Sequence, residues 1–280
     1  MKTLHTLLLT LSFCIMLGNT SLDDINTISM NPINIKALIE EDASTTSGPF
    51  RYAHSFDVDI NLFNDGTVYT LDNGDQIWTL QIQSSNAVGL KLYFNDFYLP
   101  YGSELLIYNE EEDMIVGPIT YVDNHEDQEF SHRLLKGDMI TLQYYQPSNS
   151  NEQALINIST IYHAYRDILG FYETDSERNC GVNVACDDGT FEDQINSVIF
   201  LDMGGYICSA ALINNTSFDL TPYVLTAWHC VEEDTSLGSH NNFTFYFRHQ
   251  SSSCTGSGGN YGYSRTGSYT RAWDDLNGSD

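Results

Sequence analysis

The clearest indication of the fold is the stretch Phe56-Asp57-Val58-Asp59-Ile60-Asn61-Leu62, in which apolar and polar residues alternate without interruption. Such alternation is typical of a β-strand that buries one face. The stretch Gln76-Ile77-Trp78-Thr79-Leu80-Gln81-Ile82-Gln83 repeats the pattern, and the turn sequences Asn64-Asp65-Gly66 and Asp72-Asn73-Gly74 separate the two. Further strands are predicted over residues 88–99, 104–108, 139–145 and 154–162. Short strands with regular turns predict a β-sandwich over residues 50–166.

The chain begins with a sequence typical of a secretory signal peptide. Lys2 precedes a mostly apolar run over residues 7–17, and small or polar residues follow at 18–21. We therefore expect residues 1–20 to direct secretion and to be removed. The apolar run is too short to favour a membrane span. Residues 21–49 show no clear period, and we expect an irregular leader or linker there.

The chain is strongly acidic, with 38 Asp and Glu residues against 11 Lys and Arg residues and a formal net charge of −27. Such a chain repels the phosphate groups of nucleic acids and of anionic membranes, so neither is expected as a partner. The aromatic content of 12% in alternating patterns argues against disorder. We interpret the acidity as a source of solubility rather than a site for a cationic substrate, and we expect a monomer.

Cysteines are concentrated in the C-terminal part of the chain. Of the six cysteines, Cys14 lies in the predicted signal peptide and the other five follow residue 179. In an exported protein these five indicate a disulfide framework in which one cysteine is free, pairs between chains or pairs with a residue beyond Asp280. Strands resume over residues 195–201, 206–213, 222–227 and 243–247, at the spacing of a small antiparallel barrel. Residues 167–179 form a junction, with Arg178 as the candidate processing point.

The segment Tyr223-Val224-Leu225-Thr226-Ala227-Trp228-His229-Cys230 places a histidine and a cysteine at the end of an apolar run. Together with the segments 180–186, 208–216 and 252–254, it resembles the lysyl endopeptidase branch of the trypsin-like serine proteases. Residues 78–80, 99–105 and 163–166 resemble the pro-region of that family. The resemblance implies an all-β fold, in which a β-sandwich pro-domain precedes the first β-barrel of a double-barrel protease over residues 180–280, with the second barrel absent.

The resemblance also implies catalytic roles for two residues. His229 would be the general base that accepts a serine hydroxyl proton, since a neutral imidazole is available near pH 7. Asp280 would orient that imidazole. Three other histidines, His125, His132 and His163, do not have the spacing of metal ligands, and no metal or cofactor is expected.

The same resemblance implies two disulfide bonds. Cys208 would pair with Cys230, and Cys186 would pair with Cys254. Cys180 would then be unpaired here, because its partner in the family lies late in the catalytic domain. The shorter of the two bonds would fix the strand end that carries the histidine.

No nucleophilic serine is expected within the chain. The stretch Cys254-Thr255-Gly256-Ser257-Gly258-Gly259 imitates a nucleophile loop, but it lacks the preceding aspartate. In the family, moreover, the serine follows the catalytic aspartate in chain order, and Ser257 precedes Asp280. We interpret the chain as a fragment of a secreted serine endopeptidase precursor that is inactive by itself. Its partners would be protein substrates and its own pro-region, and its preference for Lys, Arg or another P1 residue stays open.

A second interpretation belongs to a different class of protein. The chain would be a secreted β-rich binding or adhesion protein that keeps an inactive protease-like domain. The many tyrosines of the predicted sandwich and Trp78 support it. Labelling of a serine by a fluorophosphonate probe in the full-length protein would separate the two interpretations.

Overall fold

A computed structural model describes residues 25–45, 48–172, 182–231, 240–255, 259 and 261–272. The predicted signal peptide, Arg178, Cys180, Ser257 and Asp280 lie outside these residues. Within them the chain is β-rich and forms three sheets, which confirms the predicted all-β class. Among the described helices, none has the length and apolar character needed to cross a membrane.

The strands are short and are numbered here in chain order. They are β1 (Thr27–Ser29), β2 (Phe50–Arg51), β3 (Ala53–Asn61), β4 (Thr67–Thr70), β5 (Gln76–Gln83), β6 (Gly89–Tyr98), β7 (Glu104–Asn109), β8 (Ile115–Ile119), β9 (Phe130–Ser131), β10 (Leu135–Lys136), β11 (Met139–Gln146), β12 (Leu155–Ala164), β13 (Val198–Asp202), β14 (Tyr206–Ile213), β15 (Tyr223–Thr226), β16 (Thr244–Phe247) and β17 (Ser264–Thr266).

The N-terminal part is a sandwich of two sheets. One sheet has the order β1-β5-β11-β7-β8, with β4 beside β5, and the other has the order β10-β6-β12-β3, with β9 beside β6. The alternating side chains of the two central strands meet between the sheets, where Leu80 of β5 and Leu92 and Phe94 of β6 are fully buried in one core. Burial of such a side chain stabilises the fold by about 1.5–3 kcal/mol.

The segment before the sandwich is more regular than expected. It contains β1, which pairs with β5, and the helix α1 (Ile35–Ser44), whose first turn is capped by a hydrogen bond from the Ala37 amide to Asn34 Oδ1. Both elements lie within residues 21–49, where a leader or linker was predicted, and the stretch is therefore partly regular in structure. None of the α1 residues is buried, although Ile35, Leu38 and Ile39 have the spacing of one helix face.

The remaining helices are short. They are α2 (Leu62–Asp65), α3 (Glu192–Ser197) and the 3-10 turns Tyr121–Asp123, Val184–Cys186 and Trp228–Cys230.

The C-terminal part forms one open sheet rather than a closed barrel. Its order is β15-β14-β13-β16-β17, with β2 beside β14. The prediction of a closed first barrel is therefore wrong for the described residues. Strands β15 and β17 lie at opposite ends of this order and do not pair with each other there. Closure would need these two end strands, of four and three residues, to pair with each other in a staggered register. The side chains of Ile199, Leu201 and Phe245 form the core on one face of the sheet.

Candidate active site

His229 lies in a 3-10 turn at the end of β15. The strand ends at Thr226, and the turn Trp228–Cys230 follows, closed by a hydrogen bond from the Cys230 amide to the Ala227 carbonyl (3.2 Å). The Thr226 hydroxyl donates to the carbonyl of Ser209 in β14 (2.9 Å). The turn is thus attached to the neighbouring strand, and it presents a partly exposed His229.

A disulfide bond between Cys208 and Cys230 fixes the same turn. It joins β14 to the residue that follows His229, and a ring nitrogen of His229 lies within 4.8 Å of both sulfur atoms. The two cysteines are 22 residues apart in the sequence, and a disulfide that closes a loop of this length stabilises the fold by about 3 kcal/mol. This is one of the two pairs that the resemblance implies.

The close approach of these three residues does not make a metal site in the oxidised protein. Cysteine binds metal ions as a thiolate, and the sulfur atoms of Cys208 and Cys230 are bonded to each other. The disulfide therefore joins β14 to the turn that carries His229.

The second implied pair, Cys186 and Cys254, is also bonded. It ties the turn Val184–Cys186 to the loop that follows β16, across a separation of 68 residues. A cleft beside this bond is lined by residues that include Asp187, Glu192 and Arg248, but not His229. The second disulfide therefore stabilises the C-terminal part away from the candidate base.

Of the proposed catalytic pair, the structure describes one member. Asp280 lies outside the described residues, as do Cys180 and Ser257. The orientation of His229 by Asp280 stays a prediction, and so does the rejection of Ser257 as the nucleophile.

The geometry alone does not relate the chain to a known protein family, but a comparison of its sequence with protein families does. Residues 174–277 match the family described as the C-terminal domain of lysyl endopeptidase. This part of the chain is similar to lysyl endopeptidases. The protein is therefore protease-related, and the lysyl endopeptidase-like segment contains His229 and both disulfides. No solved structure matches the chain with statistical significance.

A buried ion pair connects the lysyl endopeptidase-like segment to the sandwich, and the sequence analysis missed it. Lys91 Nζ of β6 lies 2.9 Å from Asp202 Oδ2 of β13, and both side chains are fully buried. Lys91 also donates to the Asn242 carbonyl and to Thr244 Oγ1, while the Tyr52 hydroxyl donates to Asp202 Oδ1 (2.8 Å). Burial lowers the pKa of Lys91, and the neighbouring carboxylate opposes this effect. The one sequence signal was a lysine between two leucines in a buried strand.

The sandwich contains a serine–histidine pair, which is inaccessible. Ser84 Oγ lies 2.7 Å from His163 Nδ1, and both residues are buried. Burial, followed by the nearby His54, lowers the pKa of His163 to about 4. No substrate could reach this pair without unfolding of the sandwich, so it contributes to the core rather than to a catalytic site.

Proposed function

We propose that the chain is part of a secreted serine endopeptidase precursor of the lysyl endopeptidase type. One observation carries the proposal. Inside the segment that matches the family, His229 lies at a strand end, and the disulfide between its neighbour Cys230 and Cys208 holds it there. A base that must reach a substrate has to be both exposed and held in place, and this turn meets both requirements.

In this proposal His229 performs the proton transfers of peptide hydrolysis. Its neutral imidazole accepts the hydroxyl proton of a serine as the serine oxygen attacks the scissile carbonyl, and it later donates that proton to the leaving amine. Asp280 accepts a hydrogen bond from the other ring nitrogen and stabilises the imidazolium. The nucleophilic serine would follow Asp280 in chain order, as it follows the aspartate in chymotrypsin-type triads.

The other parts of the chain have supporting roles in the proposal. Residues 1–20 direct secretion, and two disulfides are compatible with an oxidising extracellular compartment. The sandwich over residues 50–166 is the pro-region, and cleavage within residues 167–179 separates it from the protease. Proteins or peptides are the substrates, and the P1 residue is not assigned.

The test is active-site labelling of the full-length protein with a fluorophosphonate probe. We expect a labelled serine after processing, and we expect the variant His229→Ala to lower the labelling rate by at least about 10³-fold. His125→Ala is the matched control, because His125 is an exposed histidine of the sandwich. Equal labelling of both variants, or an unlabelled processed protein, would contradict the proposal.

One observation favours the alternative of a binding protein with an inactive protease-like domain. The rings of Tyr101 and Tyr121 lie 5.0 Å apart at one end of the sandwich, and Tyr101 is 77% exposed. Exposed paired aromatic rings are a common element of binding surfaces. The absence of serine labelling, together with a ligand that protects these tyrosines from modification, would support this second function.

A further inference from the structure

The side chains of Cys208, His229 and Cys230 bring together three atoms of the kind that bind soft metal ions. One ring nitrogen of His229 and the two sulfur atoms lie within 4.8 Å of one another. Thiolate and imidazole are ligands that Zn²⁺ prefers in proteins. While the disulfide is intact, neither sulfur is a thiolate. Reduction of this one bond therefore turns the cluster into a set of three metal ligands.

The backbone around the disulfide has the dimensions that a metal site needs. In a tetrahedral site with Zn–S bonds of about 2.3 Å and a Zn–N bond of about 2.0 Å, the ligand atoms lie about 3.5–3.8 Å apart. The Cα atoms of Cys208 and Cys230 are 6.1 Å apart, and each side chain can turn about its Cα–Cβ bond. The two sulfur atoms can therefore separate to this distance while β14 and the turn Trp228–Cys230 keep their positions.

The surroundings of the two sulfur atoms favour a bound cation once the disulfide is reduced. Cys230 is buried in the apolar cluster of the C-terminal sheet, and Cys208 packs against the same cluster. Burial penalises the charge of a thiolate, and a divalent cation bound by both sulfur atoms cancels that charge. His229 is partly exposed, so the ion can enter from solvent and a water molecule can take the fourth position.

The second disulfide has no such third ligand. Within the part of the chain that the structure describes, no comparable group of three ligand atoms includes Cys186 or Cys254. Reduction of this bond yields two thiols, which bind a metal ion more weakly than three ligands held in one place. The C-terminal sheet therefore contains one disulfide that can become a metal site and one that serves as its control.

We propose that reduction of the Cys208–Cys230 bond converts these two cysteines and His229 into a Zn²⁺ site, and that oxidation releases the ion. Two small thiols reduce the S–S bond, giving two cysteine thiols and one small disulfide. Zn²⁺ then binds both sulfur atoms and the imidazole, and the two thiol protons are released. In the reverse direction a small disulfide oxidises the two bound thiolates to the S–S bond, which frees Zn²⁺ and two small thiolates.

The consequence for catalysis rests on the proposed function. A ring nitrogen that binds Zn²⁺ can neither accept a proton nor donate a hydrogen bond to a carboxylate, so metal binding and proton transfer exclude each other at His229. The ion thus keeps the reduced protein inactive until an oxidising compartment forms the disulfide. The metal site itself needs neither a serine nor Asp280, so an unlabelled serine contradicts the proposed function and leaves the metal site unaffected.

The test is a titration of the full chain with Co²⁺, a coloured substitute for Zn²⁺. Cys14→Ser and Cys180→Ser are present in every sample, so that the four cysteines of the two disulfides are the only thiols. A phosphine is the reductant and becomes the phosphine oxide, because small thiols would themselves bind the ion. We expect thiolate-to-cobalt absorption that saturates at one ion per reduced chain, disappears on addition of Zn²⁺, and is absent from the unreduced chain. Reduced protein without this absorption, or unreduced protein with it, would overturn the proposal.

The histidine is tested by competition for Zn²⁺ with a metal indicator. His229→Ala should weaken Zn²⁺ binding by the reduced chain at least about tenfold, because even changes outside the ligand set cost roughly 10–100-fold in metal affinity. His125→Ala is the matched control and should bind as the parent chain does, since His125 lies in the sandwich. Equal affinities of the two variants would remove His229 from the site and overturn the proposal.

The cysteine pairs are tested separately. Cys208→Ser combined with Cys230→Ser should abolish the cobalt absorption, whereas Cys186→Ser combined with Cys254→Ser should retain it. The opposite pattern would place the ion at the other disulfide and contradict the assignment.

Thermal denaturation of the reduced chain shows whether the ion binds the folded protein. Zn²⁺ that binds the folded state should raise the melting temperature of the reduced parent chain and should leave that of His229→Ala nearly unchanged. A reduced chain that binds Co²⁺ but is not stabilised by Zn²⁺ would hold the ion in an unfolded state, and this result would overturn the proposal as well.

Discussion

The sandwich and the C-terminal sheet reach stability by different means. The sandwich buries its apolar side chains between two sheets and contains no cysteine, with Leu80 and Phe94 fully buried. The C-terminal sheet leaves large apolar side chains exposed, such as Val198 (56%) and Leu225 (61%), and it carries two disulfides. The two regions thus differ in that two covalent bonds supplement a smaller apolar cluster in the C-terminal sheet.

The largest effect of a single substitution is expected from breaking the connection between the two regions. Asp202→Ala leaves the Lys91 ammonium buried without a carboxylate, which should lower the free energy of unfolding by about 3–5 kcal/mol. Urea denaturation measures this loss. Asp193→Ala, at an exposed position of α3, is the control and should have little effect.

A double replacement tests whether the unpaired charge of Lys91 causes this loss of stability. Lys91→Met combined with Asp202→Leu exchanges the ion pair for apolar side chains of similar size, and it should recover most of the stability. A double variant as unstable as Asp202→Ala would show that cavity or backbone changes, rather than an unpaired charge, cause the loss.

Reduction of both disulfides should lower the stability of the C-terminal sheet and leave that of the sandwich unchanged. The chain-entropy estimate gives about 3 kcal/mol for Cys208–Cys230 and about 4 kcal/mol for Cys186–Cys254. Under reducing conditions, hydrogen exchange should therefore increase in β13–β16 while β5 and β11 keep their protection. Parallel loss of protection in all these strands would mean that the two regions unfold as one unit and are not stabilised by different means.

Acid should destabilise the sandwich first. Burial lowers the pKa of His132 to about 3 and that of His163 to about 4, below the unfolded value near 6.5. Below pH 6.5 the unfolded chain therefore binds more protons, and stability falls by up to roughly 1.4 kcal/mol per pH unit for each histidine, down to about pH 4 for His163. His132 Nε2 accepts the Leu92 amide (3.1 Å), so its protonation also breaks a backbone contact.

Denaturation midpoints between pH 7 and pH 4 measure this slope. The double variant His132→Gln and His163→Gln should flatten it, whereas replacement of the exposed His125 by Gln should not. An unchanged slope in the double variant would assign the acid sensitivity to carboxylates instead.

The smallest expected effect concerns α1, which belongs to neither core. Asn34→Ala removes the bond to the Ala37 amide at the start of the helix and should cost about 1 kcal/mol. Local hydrogen exchange over residues 35–44 should detect it, with Asn95→Ala in β6 as the control. A global loss of stability would indicate that α1 supports the sandwich more strongly than its unburied side chains suggest.

The sequence predicted what depends on local pattern. Alternation over residues 56–62 and 76–83 identified β3 and β5, and the local segment around His229 identified the candidate base. Helix α1 was missed because charged contacts, not a buried face, hold it. The partner of Lys91 lies 111 residues away in the chain, at Asp202, so no neighbouring residue indicated it. The barrel was predicted from strand spacing, which does not report whether the edge strands meet.

The buried pair also determines a sequence of events during synthesis. Lys91 leaves the ribosome before Asp202, and their separation of 111 positions corresponds to roughly 5–20 s of chain elongation. During that interval the sandwich can close its own core, but its lysine must remain hydrated. Dehydration of Lys91 therefore waits for the carboxylate of Asp202, because the buried ammonium needs that partner.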